Sequence, residues 1–426
     1  MPFPTRSVLN PRRSSRRAGV VALALAIALT ALVSVAGAGR AVPIDTATTT
    51  AADQVHRSCP APRPGYFACL SSWKRLQPVP ADRIAAAGRA SSAAAGRTVS
   101  KPKDGLTPAD LRAAYKLPAK GGKGVTIGIV DAYDHPKAES DLKVYRSAFG
   151  LSACTTKNTC FRKVNQAGGK KLPAPDADWA GETALDIQAV SAICPQCRIL
   201  LVEADDPSTE NLAAAVRTAV RLGADVVSNS YGAPEAAAEV KRTGKAYRHQ
   251  NVPIVVASGD DGFTRASYPA NLPYVWAVGG TVLSHRKGKG WSEKAWSHGG
   301  SGCSDVVAKP AFQKDTLCVH RTIADVSVVA DGFAVYNTFG LGEDNGWIQV
   351  SGTSLSAPLL AAMMGLSGHP AKAADPKYGY RRAAYFQDIT SGRNGTCPDG
   401  LCVAGPGYDA PTGIGAPRGV KGLGKA

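Results

Sequence analysis

Five short apolar runs constrain the fold more than any other feature of the chain. They are VTIGIV (125–130), ILLV (199–202), DVVS (225–228), PIVVA (253–257) and VWAV (275–278). Runs that are apolar at consecutive positions leave no face for water, so both faces of each strand must be covered, as in a parallel sheet. Helical patterns at 138–149, 180–193, 209–222 and 234–249 separate several of them. Strands alternating with helices predict an α/β fold, a parallel sheet with helices on both faces. In such a sheet reactive groups collect at the carboxyl ends of the strands. The chain has no internal repeats, and 426 residues fit one large core with extensions.

A further stretch, SGTSLSAPLLAAMMGL (351–366), follows the β-type run GWIQV (346–350). After Ser354 small and apolar residues recur at helical spacing. Pro358 is expected within the first helical turn, where its missing N–H has no partner to lose. A strand, a Gly-Thr turn and a serine at the mouth of a buried helix would hold a hydroxyl rigidly. They would also aim backbone N–H groups and a helix N-terminus at any negative charge forming beside it. Taken alone, SGTS serves equally well as a helix cap.

Acidic residues supply the partners. Glu182 and Asp186 are four apart in WAGETALDIQAVSAI, a spacing at which like charges repel on a helix. A solvated acidic face would explain them, but Ala189, Val190 and Ile193 continue the same face as apolar. A buried acid pair keeps one carboxyl protonated and suits proton sharing. Asp260 stands in PIVVASGDDGF, in a turn at the end of a strand. Asp-Gly turns are common, yet a carboxylic acid kept protonated can donate a hydrogen bond to a developing oxyanion.

GTS-x-S-x-P opening a helix resembles the serine motif of the subtilisin-like peptidases, where a histidine in an H-G-T motif serves the serine. None of His56, His135, His249, His285, His298, His320 and His369 has that context. Together GETALD, ASGDDG and SGTSLSAP resemble, in type and order, the sedolisin family of serine-carboxyl peptidases. The likeness runs from about Leu106 to the C-terminus and includes SNSYG (228–232) and SYPANLPYVWAVGGT (267–281). It implies a subtilisin-like fold and a Ser-Glu-Asp triad in which Ser354 is the nucleophile, Glu182 the general base and Asp186 the acid that orients it. Asp260 would then be the oxyanion acid. It also implies one calcium ion at Asp388, Ile389, Gly405, Gly407 and Asp409; two carboxylates with alternating carbonyls in a Gly-rich loop supply the hard oxygen ligands calcium prefers. Without a histidine motif to serve, Asp131 in VTIGIVDAYD is expected to be structural.

The N-terminus reads as a targeting segment. Five arginines between Arg6 and Arg17 precede an apolar run (20–35) and the small-residue site Ala36-Gly37-Ala38, so residues 1–38 are expected to be a cleaved signal peptide. Residues 39–105, rich in Ala, Ser, Arg and Pro, are expected to be a short propeptide or flexible extension, and 106–426 the peptidase domain. Relatives of this type commonly carry a larger prodomain. Ten cysteines in five close pairs (59/69, 154/160, 194/197, 303/318, 397/402) suit disulfides in an exported chain. The six arginines of residues 1–40 leave +11 of the formal +17 for the rest, scattered rather than gathered with aromatics as a nucleic-acid binder requires. The expected protein is therefore a secreted, monomeric endopeptidase, active at acid pH on protein or peptide substrates, with no stable membrane anchor. A tripeptidyl exopeptidase of the same family and a catalytically silent binding protein on the same fold are the rivals; intact Ser354, Glu182, Asp186 and Asp260 argue against the second.

Overall fold

The structure, a computed structural model, describes residues 55–76, 101–341, 346–397 and 400–425. The signal-peptide expectation (1–38) lies outside them, as does much of the expected extension. Short N-terminal strands come first, among them β1 (Ala68–Cys69) and β2 (Ser72–Arg75), the latter paired on one edge with His56–Arg57. Helix α1 (Pro108–Ala114) starts at a capping box, Thr107 accepting from the Asp110 N–H and Asp110 reaching back to the Thr107 N–H. The α/β core then runs β3 (Thr126–Ala132), α2 (Ala138–Ala148), β4 (Phe161–Asn165), α3 (Ala177–Ile193), β5 (Arg198–Ala204), α4 (Thr209–Arg221) and β6 (Val226–Asn229). It continues with β7 (Tyr231–Pro234), β8 (Ile254–Ala257), β9 (Trp276–Arg286), β10 (Gly290–Ala295), β11 (Val326–Val329), β12 (Phe333–Asn337), β13 (Gly346–Ser351) and α5 (Thr353–Leu366).

The central sheet has the order β10-β9-β8-β6-β3-β5-β4, with β11 also pairing β9. All its pairs are parallel except the β9–β10 hairpin. The pleat sends Ile127 and Ile129 of β3 into a core with α3 and α5, while Val130 packs into a second core with α4 on the other face. This is the doubly covered parallel sheet that the apolar runs predict. Helix α3 is buried all round, sandwiched between sheet and helices, which is why its sequence carries only a weak polar face.

Two expectations need correction. The helix expected over 234–249 is a strand end at Pro234, a short helix Ala237–Thr243 with no side-chain cap, and a 3-10 turn Gly244–Tyr247. Pro358 lies in the second turn of α5, not the first, because the helix already begins at Thr353. The ring removes the donor that would have satisfied the Ser354 carbonyl. Ser230 Oγ supplies one instead, at 3.2 Å.

The five cysteine pairs are bridged between sequence neighbours: 59–69, 154–160, 194–197, 303–318 and 397–402. No described helix is long and apolar enough to cross a membrane.

Candidate active site

Helix α5 enters from Gly352 with no side-chain cap, so its first N–H groups must find partners elsewhere. The Thr353 N–H donates to Asp260 Oδ1 at 2.8 Å, as does the Thr353 hydroxyl. The Ser354 N–H donates to the Leu70 carbonyl at 3.1 Å. Ser354 Oγ donates to the Ser230 carbonyl at 3.1 Å and accepts from the Leu70 N–H at 3.1 Å. The serine is thus fixed at the helix mouth with its hydroxyl and its N–H turned to one space.

Glu182 and Asp186, one turn apart on α3, are both fully buried. Glu182 Oε2 accepts from Ser71 Oγ at 2.6 Å, and Oε1 has no hydrogen-bond partner. Burial pushes Glu182 well above the usual carboxyl range; the Ser354 and Ser71 hydroxyls hold it down in part, and Asp131 and Asp260 push it further up. Asp186 is bound through both oxygens by Ser230 Oγ (2.9 and 2.8 Å). Burial first, then the charges of Asp131 and Glu182, raise it as well. Ser230 therefore bridges the inner acid to the Ser354 main chain.

Asp131 is part of this cluster, not a remote structural acid. It shares the face of β3 with Ile127 and Ile129, the face that α3 covers, and burial lifts its carboxyl to about 7. That period-2 alternation was the available signal. Asp260, at the turn after β8, is also lifted to about 7, by burial first, with the two Thr353 hydrogen bonds pulling down and Asp261 pushing up. No described histidine bonds to Ser354.

A carboxyl whose folded pKa is raised contributes stability below its unfolded value, near 4, and loses it as pH climbs through the folded value. For Asp131 and Asp260 that window ends at about 7. At on the order of 1.4 kcal/mol per pKa unit, the cluster should cost several kcal/mol on going from pH 4 to pH 8. Calorimetry of Ser354→Ala at constant saturating calcium should show Tm falling over that interval; an equal or higher Tm at pH 8 would contradict the burial of these acids.

The residue that sequence reasoning missed most completely is Ser71, together with the segment around it. Residues 55–76 are not a loose extension in the described structure. Strand β1 pairs antiparallel with β7, and β2 with β13, so the segment crosses directly over Ser354. Ser354 is 0% exposed as a result. Its composition of Ala, Pro and Arg carries no strand period to reveal this.

The other candidate residues gather about the loops 388–389 and 405–409. Gly405 N–H donates to Asp409 Oδ2 (2.9 Å) and Gly407 N–H to Asp388 Oδ2 (2.8 Å). Asp409 is buried, Asp388 exposed, and the charge of Asp388 adds to the burial that raises Asp409 to about 6. Among the described residues no basic side chain forms an ion pair with either. No group of three His, Cys, Asp or Glu able to hold a metal occurs among them either, so carbonyl oxygens would have to complete any site.

The profile of the subtilase family matches residues 164–378, half of the chain. The chain belongs to the subtilase family, on its sedolisin branch. Kumamolisin of Bacillus sp. (strain MN-32) is 29% identical over 368 residues, covering 76% of this chain and 64% of its own length. Tripeptidyl-peptidase 1 of Canis lupus familiaris is 28% identical over 207 residues, 39% of this chain and 35% of its own. The solved Pseudomonas sedolisin, a serine-carboxyl proteinase complexed with two molecules of pseudo-iodotyrostatin, superposes with a TM-score of 0.63 at 25% identity. That match covers 74% of this chain and 96% of the other. This sedolisin-type chain spans less than two thirds of the curated relatives it matches over their length.

Proposed function

We propose that the chain is a secreted endopeptidase that hydrolyses peptide bonds at acid pH through Ser354, Glu182 and Asp186. The observation that carries this is a serine at a helix mouth, without histidine, set among buried carboxyls and with its N–H turned toward a carbonyl. Ser354 Oγ attacks the scissile carbonyl as Glu182 takes its proton; Asp186, held by Ser230, shares that proton and fixes Glu182. Protonated Asp260 and the Ser354 N–H stabilise the oxyanion, and water then hydrolyses the acyl-enzyme. Asp131 joins the same pool of shared protons.

The exopeptidase reading is favoured less, because strand pairing lines the cleft on both sides of Ser354, through β7 and β13. Digestion of denatured casein across pH, with fragments read by mass spectrometry, decides it. Internal cuts at acid pH support the proposal; release of tripeptides alone favours the rival, and no cleavage at any pH leaves only a silent binding protein. Five bridged cysteine pairs are consistent with export.

We also propose a structural calcium ion held by Asp388 and Asp409 with the carbonyls of Ile389, Gly405 and Gly407. The buried Asp409 carboxyl beside a second acid, with no basic partner among the described residues, fits a hard cation. Bound there, calcium would neutralise both acids and tie the two loops together. Because it binds only the native state, a hundredfold excess over Kd adds about 2.7 kcal/mol. Chelation should lower Tm and calcium restore it; an unchanged Tm in demonstrably metal-free protein would remove the site.

A further inference from the structure

Asp260 sits on a turn that is held from outside. Its Oδ1 is taken by the Thr353 N–H and hydroxyl, which leaves Oδ2, beside Gly352, to meet an oxyanion. The turn runs on from β8 to Thr264, and a second loop, 297–301, lies against it. Gly300 N–H donates to the Gly259 carbonyl at 2.6 Å and Gly262 N–H to the His298 carbonyl at 2.9 Å. Ser301 N–H reaches the Gly262 carbonyl at 3.2 Å, and Ser258 Oγ the Gly300 carbonyl at 2.7 Å. The same two loops wall a cavity of about 450 Å³ through Ser258, Gly259, Thr264 and Gly300. Both are irregular backbone, so each is only as fixed as what stands behind it.

Behind both stands Asn394, from the segment between the loops 388–389 and 405–409, only 3% exposed. Its Nδ2 donates to the Gly299 carbonyl at 2.6 Å and to Ser301 Oγ at 2.8 Å. Ser301 Oγ in turn donates to the Leu401 carbonyl at 3.0 Å. The Gly299 carbonyl only accepts, which fixes the amide with its nitrogen toward that loop. The main-chain carbonyl of Asn394 accepts the N–H of Phe263, three residues after Asp260, at 2.9 Å. The approach is so close that a Cβ on Gly262, at φ +68°, would come 2.3 Å from that oxygen. One residue thus grips the Asp260 turn by its backbone and the facing loop by its side chain. Its amide oxygen is buried without a partner, a cost that the two bonds of the nitrogen must offset.

Asn394 is itself braced. Its N–H donates to the Cys402 carbonyl at 3.0 Å, Arg393 pairs with Val403, and the Cys397–Cys402 bridge closes the loop between them. Gly392 pairs with Ala295 at the end of β10, and β10 is hydrogen-bonded to β9 of the central sheet. The support therefore runs from the sheet, through β10 and residues 392–394, to the turn that carries Asp260.

We propose that Asn394 is a positioning residue for the oxyanion acid: it locks the Asp260 turn to the 297–301 loop and so sets where Asp260 Oδ2 stands relative to Ser354. The proposal rests on the peptidase reading above. Asn394 bonds neither Ser354 nor Asp260 and acts through Phe263 and Gly299. A catalytic donor must be held within about 0.5 Å of its productive place, and a displacement of about 1 Å costs on the order of 10²-fold. The oxyanion exists only at and beyond the transition state. A misplaced Asp260 therefore lowers kcat and leaves KM nearly unchanged.

The test is a double-mutant cycle on hydrolysis of a casein-derived peptide at pH 4 and saturating calcium, with circular dichroism for the fold. Asn394→Ala should lower kcat by roughly 10- to 100-fold while KM moves less than about threefold. In an Asp260→Ala background no oxyanion acid remains to be placed, so the same change should cost less than about threefold in kcat. A merely structural asparagine would cost the same factor in both backgrounds. That result would overturn the inference and leave the peptidase reading standing, as would a folded Asn394→Ala within about threefold of wild type. Should Asn394→Ala fail to fold, Ser301→Ala takes its place in the cycle, cutting the link from the Asn394 nitrogen to Leu401. Its kcat should fall about fivefold in the wild type and stay level in Asp260→Ala; an equal fall in both would overturn the inference. A wild type that cuts no peptide would sink the peptidase reading and this inference together.

Discussion

Ser354→Ala should lower peptide hydrolysis by on the order of 10⁴- to 10⁶-fold with the fold retained. The side chain is fully buried and its polar contacts, among them the Ser230 carbonyl and the Leu70 N–H, all run through its hydroxyl, so its loss removes chemistry rather than packing. Glu182→Gln should cost about 10⁴-fold, since the amide can still accept from Ser71 but cannot take a proton. The double variant should be little worse than either single one, because both disable the same step. Turnover of a casein-derived peptide, with circular dichroism for the fold, checks this. A folded single variant within tenfold of wild type would contradict the assignment.

Asp260→Asn should shift the pH dependence more than it lowers the maximum. The acid donates to the oxyanion only while protonated, so in the wild type activity falls as Asp260 ionises. Its value of about 7 belongs to the covered site, where burial is the largest cause. Admitting substrate and water weakens that cause and brings the alkaline limb down. On the proposed mechanism Glu182 must be ionised to act as base, which sets the acid limb; its raised value also belongs to the covered site, where burial is the largest cause, and falls as water and substrate enter, so the expected window is about pH 3–5.5. Asparagine donates at every pH, but more weakly than an acid. The variant should lose roughly tenfold at pH 4, well short of the ~10²–10³ for losing a donor outright, and fall off less steeply toward pH 8. Profiles of kcat/KM for both proteins measure this, and parallel alkaline limbs would place that limb on another group.

Much of this was legible in the sequence because it was periodic or dense in motif. Runs such as VTIGIV and PIVVA forced a doubly covered parallel sheet, and each of the five strands began next to its expected start, although the last runs on from Trp276 to Arg286, well past the expected 278. Glu182 and Asp186 stood out because acids on an apolar helix face are costly without a use, whereas Asp260 and Ser354 stood out only once ASGDDG and SGTSLSAP were taken together with GETALD, in the sedolisin family's order. What stayed hidden depended on contacts far apart in the chain. Ser71 reaches Glu182 across 111 positions, and no local pattern announces such a contact. Asp131 was visible as a strand-end acid, but only the packing of α3 on that face of β3 made it a neighbour of Glu182 and Asp186. The expected helix over 234–249 is cut back to Ala237–Thr243 and the turn Gly244–Tyr247, because apolar spacing says nothing about a strand that must first pair along the cleft.

The central claim is that carboxyls, not a histidine, activate Ser354, and trapping the acyl-enzyme tests it most directly. The protein would be mixed at pH 4 with an activated ester of a peptide ending in leucine, quenched in acid within the first turnover and digested for mass analysis. The account predicts one acyl group per chain, on the peptide containing Ser354, absent from both Ser354→Ala and Glu182→Gln. Ester hydrolysis at pH 4 with no adduct on Ser354, or full acylation of Glu182→Gln, would contradict it.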